Sequence, residues 1–224
     1  MAYYGSYIVL LPFLLLTFYA QHKVKSTYKK YLKVGNQKNL SGFEVARKIL
    51  DRNGLRDINI SQSRGELSDH YNPRSKQVNL SSKVYNGKSI SSIAIAAHEV
   101  GHAIQHSKSY VPLVFRSKLA PIASISSKAV TPLVLIGVFT DLTGLIDLGI
   151  MIFSVILLFQ LITLPVEFNA SKRALNQLTT QGLVYNDEQN KAKKVLNAAA
   201  LTYVAALAVS IGQLLRLFLL RGRD

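Results

Sequence analysis

Ala97-His98-Glu99-Val100-Gly101-His102-Ala103 decides how the rest of this 224-residue chain is read. On a helix, residues four apart share a face about one turn apart, so the two imidazoles fall side by side with the Glu99 carboxylate next to them. Two neutral imidazoles can ligate one zinc ion. Glu99 is then placed to take a proton from a zinc-activated water as that water attacks a carbonyl. The pattern points to metal-assisted hydrolysis, with His98 and His102 as ligands and Glu99 as the catalytic base.

The flanks predict where this helix sits. Ser89 to Ser92 offer N-caps for a helix running to about Ser107, and Ile93, Ala96, Ala97, Val100 and Ala103 give it apolar surface to bury. Ile90 to Gln105 is too short for a bilayer span and is flanked by Ser and Lys, so it reads as a buried helix of a cytoplasmic domain. Upstream, Ile58 to Ile60 and Gln77 to Leu80 alternate in polarity and predict two strands, separated by a loop containing Gly65, Asn72 and Pro73. The second strand, extended to Val78–Ser81, is a candidate edge along which a peptide substrate aligns. Earlier still, Ser41-Gly42-Phe43-Glu44 forms a capping box, and Gly54 suits the stop of a helix over roughly 42–53.

Apolar residues cluster away from this region. Residues 3–21, 144–166 and 195–220 are long and apolar enough to cross a bilayer, while 119–141 is a weaker span interrupted by Lys128 and Pro132. No basic residue precedes the first span and no Ala-x-Ala site follows it, so a retained anchor is expected.

The formal charge of +15 is a record of topology. Of 27 Lys and Arg, 18 lie between Lys23 and Lys118 and five between Lys172 and Lys194, with none between Thr140 and Gly149. The positive-inside rule then puts 22–118 and 167–194 in the cytoplasm and the Asp141–Asp147 loop outside. No compact basic face or stacking motif points to nucleic acid. The chain has no cysteine, which excludes disulfides and thiol catalysis.

Catalytic zinc usually has three protein ligands and one open position, so a third donor is needed. His106, His70, Asp69 and Glu167 are the candidates. Three His at four-residue intervals on a straight helix spread over about 12 Å, too far to meet on one ion. Glu167 follows Pro165 at the end of a span, and on a helix it shares a face with Ala170, Ser171, Ala174 and Leu178. Those small residues let another helix approach closely. Glu167 can join His98 and His102 only if an even number of spans separates them, which requires 119–141 to cross.

The segments Asp69–Arg74, Val78–Ser81, Ala97–Gln105 and Pro165–Ser171 together resemble the neutral zinc metallopeptidase family of bacterial membrane proteins, over nearly the whole chain. More distantly they resemble the gluzincin peptidases. The resemblance implies one zinc per chain held by His98, His102 and Glu167, with Glu99 as base. Two departures stand out. Many gluzincins carry an Asp four residues beyond the ligand Glu to orient a ligand His, where this chain has Ser171; family members often carry Asp where this chain has Asn169.

The expected protein is a mainly α membrane protein of about four transmembrane helices, with a small cytoplasmic α+β zincin-like metallopeptidase domain. Multi-pass residence in a bacterial cell membrane, a cytoplasmic active site, and peptide or membrane-protein substrates follow. His70 or Tyr71 is a candidate for stabilising the oxyanion. Two other readings are an intramembrane, site-2-like protease drawing its third ligand from Asp141 or Asp147, and a non-catalytic zinc-binding scaffold or regulator.

Overall fold

The computed structural model describes residues 7–222, a mostly helical chain with one three-stranded sheet. Its elements are α1 (Leu11–Leu32), α2 (Gly42–Arg52), β1 (Asn59–Ser63), β2 (His70–Asn72), β3 (Gln77–Ser81), α3 (Ser82–Tyr85), α4 (Ile90–Ser107), α5 (Val111–Phe139), α6 (Thr143–Thr180) and α7 (Asn186–Arg221). The described residues form two compact units: one of residues 22–110 and 166–201, the other of 7–21, 111–165 and 202–222.

In the first unit, α2 begins at the anticipated capping box. Ser41 Oγ accepts the Glu44 N–H at 3.2 Å, and Glu44 Oε2 accepts the Ser41 N–H at 2.7 Å. Two of the free donors that every helix start leaves behind are thus satisfied. Gly54, at φ +73°, turns the chain away after the last turn.

The sheet has the order β1-β3-β2. β1 runs parallel to β3, pairing Asn59 with Gln77 and Ser63 with Ser81; β2 runs antiparallel, pairing His70 with Asn79 and Tyr71 with Val78. The sequence predicts two strands and the described residues form three. β2 is only three residues long and lies among turn formers, so no alternation announces it; pairing to β3 makes it a strand. Val78 and Leu80 turn one face of β3 into the core, where they meet Val45, Ile49 and Leu50 of α2 and Ile90, Ile93 and Val100 of α4. Ala174 and Leu178 of α6 and Leu196 of α7 complete that core.

Almost every side of α4 is covered, the polar Ser91, Ser92, Glu99, His102 and Gln105 as well as the apolar surface of Ile93, Ala96, Ala97, Val100 and Ala103. Ser89 caps it, its hydroxyl accepting the Ser92 N–H at 3.1 Å.

The second unit is built from the apolar helices. Among the described residues, three helices are long and apolar enough to cross a membrane: α5, α6 and α7. The interrupted stretch around Lys128 and Pro132 is part of one continuous 29-residue helix, α5. Val130, Val134, Ile146, Phe153 and Leu217 pack inside this unit, whereas Ile125, Leu135, Phe139, Met151 and Leu215 are exposed. Large apolar side chains facing outward suit a lipid environment. Arg221 Nε donates to Asp147 Oδ1 at 2.9 Å, tying the end of α7 to the start of α6.

A count of four spans is one more than these helices give. Within α1 the apolar run is only Leu11–Ala20, after which Gln21, His22 and Lys23 begin a lysine-rich half. Residues 3–6 of the expected 3–21 anchor lie outside the described residues.

Candidate metal centre

The site is made where α4 meets α6. Gly101, between the two His, lies against the α6 backbone: a Cβ built there would sit 2.6 Å from the Ala170 carbonyl oxygen. Only a hydrogen fits at that position, and the resulting approach brings Glu167 to the imidazoles. Val166, Ala170 and Ala174 are fully buried along the same face of α6.

His98 Nε2 lies 3.3 Å and His102 Nε2 3.4 Å from Glu167 Oε2. One donor atom from each residue falls within 4.8 Å of the others, and among the described residues this is the group able to hold a metal ion. The donor set fits zinc. Two imidazole nitrogens and a carboxylate oxygen are zinc ligands, and a tetrahedron with bonds of 2.0–2.1 Å has edges of about 3.3 Å. His106, His70 and Asp69 do not join the group.

The far sides of both rings are held. Gln105, fully buried, donates from Nε2 to the Val166 carbonyl at 2.8 Å and to Asn169 Oδ1 at 3.0 Å. A carbonyl can only accept, so this fixes the orientation of the amide. Gln105 Oε1 therefore faces His102 Nδ1 at 3.0 Å and must accept its N–H. In the neutral ring the lone pair is then on Nε2, toward Glu167. Ser171 Oγ lies 3.2 Å from His98 Nδ1 and can do the same there. Asn169 Oδ1 also accepts from Arg173 Nε at 2.7 Å.

Glu99 is buried beside the pair. Burial works against a charge on His102, but its hydrogen bond to Glu167 and the nearby charge of Glu99 leave its pKa above the usual imidazole value. Asp69 is pushed up as well, first by burial and further by Glu99, although the Ser81 N–H donates to it at 2.7 Å. Asp69 thus fastens the β3–α3 junction.

The remaining candidates have other partners. His70 is exposed, its Nδ1 2.9 Å from the Ser68 carbonyl in its own loop. The Tyr71 hydroxyl meets His106 Nδ1 at 2.9 Å. Asp147 pairs with Arg221. Gln105 is the site residue that motif reading passes over; its signal is a Gln three residues after a ligand His, on the same helical face.

Residues 6–222 match the family described as "Putative neutral zinc metallopeptidase", and the chain belongs to that family. It is similar to the "Putative membrane protease YugP" of Bacillus subtilis (strain 168), with 51% identity over 211 residues, covering 93% of this chain and 94% of that relative. No solved structure matches it.

Proposed function

We propose that this chain is a membrane-embedded zinc peptidase that hydrolyses peptide bonds at the cytoplasmic membrane face. His98, His102 and Glu167 hold the metal, and Glu99 is the general base. The observation that carries this is the convergence of three zinc-type donors, with His98 Nε2 and His102 Nε2 at 3.3 and 3.4 Å from Glu167 Oε2, so that these residues would hold a zinc ion between them. Bound zinc supplies Lewis acidity toward water and toward the scissile carbonyl.

The chain's own residues do the rest. Gln105 and Ser171 keep the imidazole lone pairs aimed at the metal position by taking the N–H on the opposite side of each ring. Glu99 accepts the proton of the attacking water and passes it to the leaving amine nitrogen. The expected substrate edge at Val78–Ser81 is not free: β3 is the central strand, paired to β1 along its whole length on one side and to β2 on the other, so its backbone is already satisfied. Both oxyanion candidates have partners of their own, the Ser68 carbonyl for His70 and His106 for the Tyr71 hydroxyl, so either would have to exchange a hydrogen bond to act. A zincin-like α+β domain is thereby completed by a helix that continues from a membrane span.

The topology has α1 as a fourth span, leading inward through its apolar half. Contact between Phe13 and Gly212 supports a place for that half in the helical unit. α5 leads out, α6 returns, and α7 leaves again, so the Asp147–Arg221 pair lies at the outer end. Membrane proteins, or their cytoplasmic segments, are the substrates this position favours.

Purified Glu99→Gln protein should bind about one zinc per chain and lose cleavage of a quenched-fluorescence peptide library. Retained cleavage refutes the mechanism. A cysteine at Thr143 should be labelled by an impermeant maleimide on intact cells; protection refutes the orientation.

A further inference from the structure

Away from the metal centre, α1 and α7 border a groove of about 520 Å³ lined by Lys23, Thr27, Lys30, Lys194 and Asn197, with Tyr31 at its wall. Its charge is uncompensated. The sequence has no Asp or Glu before Glu44, and none from Gln189 to Arg223. Among the described residues, neither Lys23, Lys30 nor Lys194 makes a salt bridge, while the neighbouring Lys191 is paired with Asp187. Lys30 lies over the Tyr31 ring at 5.5 Å, which leaves its ammonium hydrogens available.

The position of these lysines along their helices is as informative as their charge. Lys23 is the first charged residue after the apolar run of α1. Lys194 is the last before α7 turns apolar, through Leu215. On both helices, therefore, the groove lies at the change from apolar to polar, which is the level of the phosphate layer if the helices enter a bilayer as proposed above. Three ammonium groups, the Thr27 hydroxyl and the Asn197 amide all present donors to a single space. Lysine binds phosphate as a point charge, through charge-assisted hydrogen bonds to its oxygens.

We propose that this groove binds the phosphate of an anionic phospholipid headgroup. The inference rests on the membrane placement of α1 and α7, and it is independent of the peptidase chemistry. A lysine near a membrane surface contributes about fivefold to binding of an anionic lipid, so three together give on the order of a hundredfold.

The test uses the full chain in nanodiscs of phosphatidylcholine containing a minority of phosphatidylglycerol, with the lipid that stays bound after gentle extraction counted by mass spectrometry. The wild type should retain phosphatidylglycerol in preference to phosphatidylcholine. The triple variant Lys23→Gln, Lys30→Gln, Lys194→Gln should lower that preference at least about tenfold. The triple variant Lys25→Gln, Lys29→Gln, Lys193→Gln removes the same charge from the same helices outside the groove, and should keep it. No preference in the wild type, or equal loss in both variants, overturns the proposal.

Inorganic phosphate distinguishes the sources. If millimolar phosphate displaces the lipid and binds by itself, with phosphorus line broadening that the groove variant abolishes, the ligand is a free phosphate and the lipid assignment falls. Glu99→Gln protein should show the wild-type lipid preference, so a failed peptidase reading leaves this one standing. A chain that does not enter the nanodisc overturns the membrane placement and the lipid site together.

Discussion

Gly101→Ala adds one methyl group at the point where the metal centre is assembled. Its Cβ would lie 2.6 Å from the Ala170 carbonyl oxygen and 3.2 and 3.3 Å from the Ala170 C and Cα. To reach ordinary contact, α4 and α6 must separate by about 0.8 Å along that line. The obstacle is backbone, so no change of rotamer relieves it, and neither does trimming Ala170 to Gly. Metal ligands tolerate errors of only about 0.2 Å. A separation several times larger pulls Glu167 away from His98 and His102 while leaving all three donors present.

Two effects compete in this variant. Alanine is the better helix former, by about 1 kcal/mol, whereas overpacking a tight core contact costs about 1–3 kcal/mol. The net cost to folding is therefore small or moderate, and the loss falls mainly on the metal. Zinc affinity, measured by competition against a chromogenic chelator in detergent, should drop about 10- to 100-fold. Thermal unfolding should show a smaller stabilisation by zinc than in the wild type. Affinity within twofold of the wild type would mean that the close approach of α4 and α6 does not set the ligand geometry, and the account of the site would be wrong.

Gln105→Leu keeps the size of the side chain but removes the acceptor that fixes His102 and the donors to Val166 and Asn169; zinc affinity by the same competition should fall about 10- to 100-fold, with the helix content of the circular dichroism spectrum unchanged. Ser171→Asp should bind zinc more tightly than the wild type while its metal-free form melts at a lower temperature, because a third buried carboxylate beside Glu99 and Glu167 favours the cation and is uncompensated without it. Glu44, whose pKa is held below its usual 4.5 first by the Ser41 N–H and then by the Ser41 hydroxyl, stabilises the fold above that pH and loses the contribution as pH falls through its lowered pKa. The group is exposed, so the effect is about 0.5 kcal/mol or less; an acid titration of stability should flatten slightly in Glu44→Gln, and an unchanged slope would show the capping box to be unimportant.

Local chemistry made some of this molecule legible in its sequence. A capping box needs only Ser41 and Glu44 three residues apart, and the apolar surface of Ile93, Ala96, Ala97, Val100 and Ala103 predicts a buried helix without knowing what buries it. The grouping of Glu167 with His98 and His102 was readable for a different reason: the small residues Ala170, Ser171 and Ala174 follow Glu167 on its face, and close packing of helices demands them. β2 was not readable, since three residues among turn formers become a strand only through pairing with β3. Gln105 was hidden as well. An isolated buried glutamine says nothing until the carbonyl of Val166, sixty-one residues away, determines which end of its amide faces His102.

The neutrality of these supporting residues follows from the charge the site must bury. Glu99 and Glu167 are both buried, at 8% and 2% exposure, and together they balance the two charges of a zinc ion. A further carboxylate at position 171 would leave the loaded site with a net negative charge in a poorly solvating interior. A hydroxyl accepts the His98 N–H without that cost, and a glutamine does so for His102. At position 169 the amide oxygen takes hydrogen bonds from Gln105 and Arg173 without adding a charge. The departures from the expected acidic pattern thus preserve the geometry of the metal ligands while giving up charge assistance. In the proposed site the imidazoles are oriented by dipoles, while the buried carboxylates of Glu167 and Glu99 serve the metal and the proton.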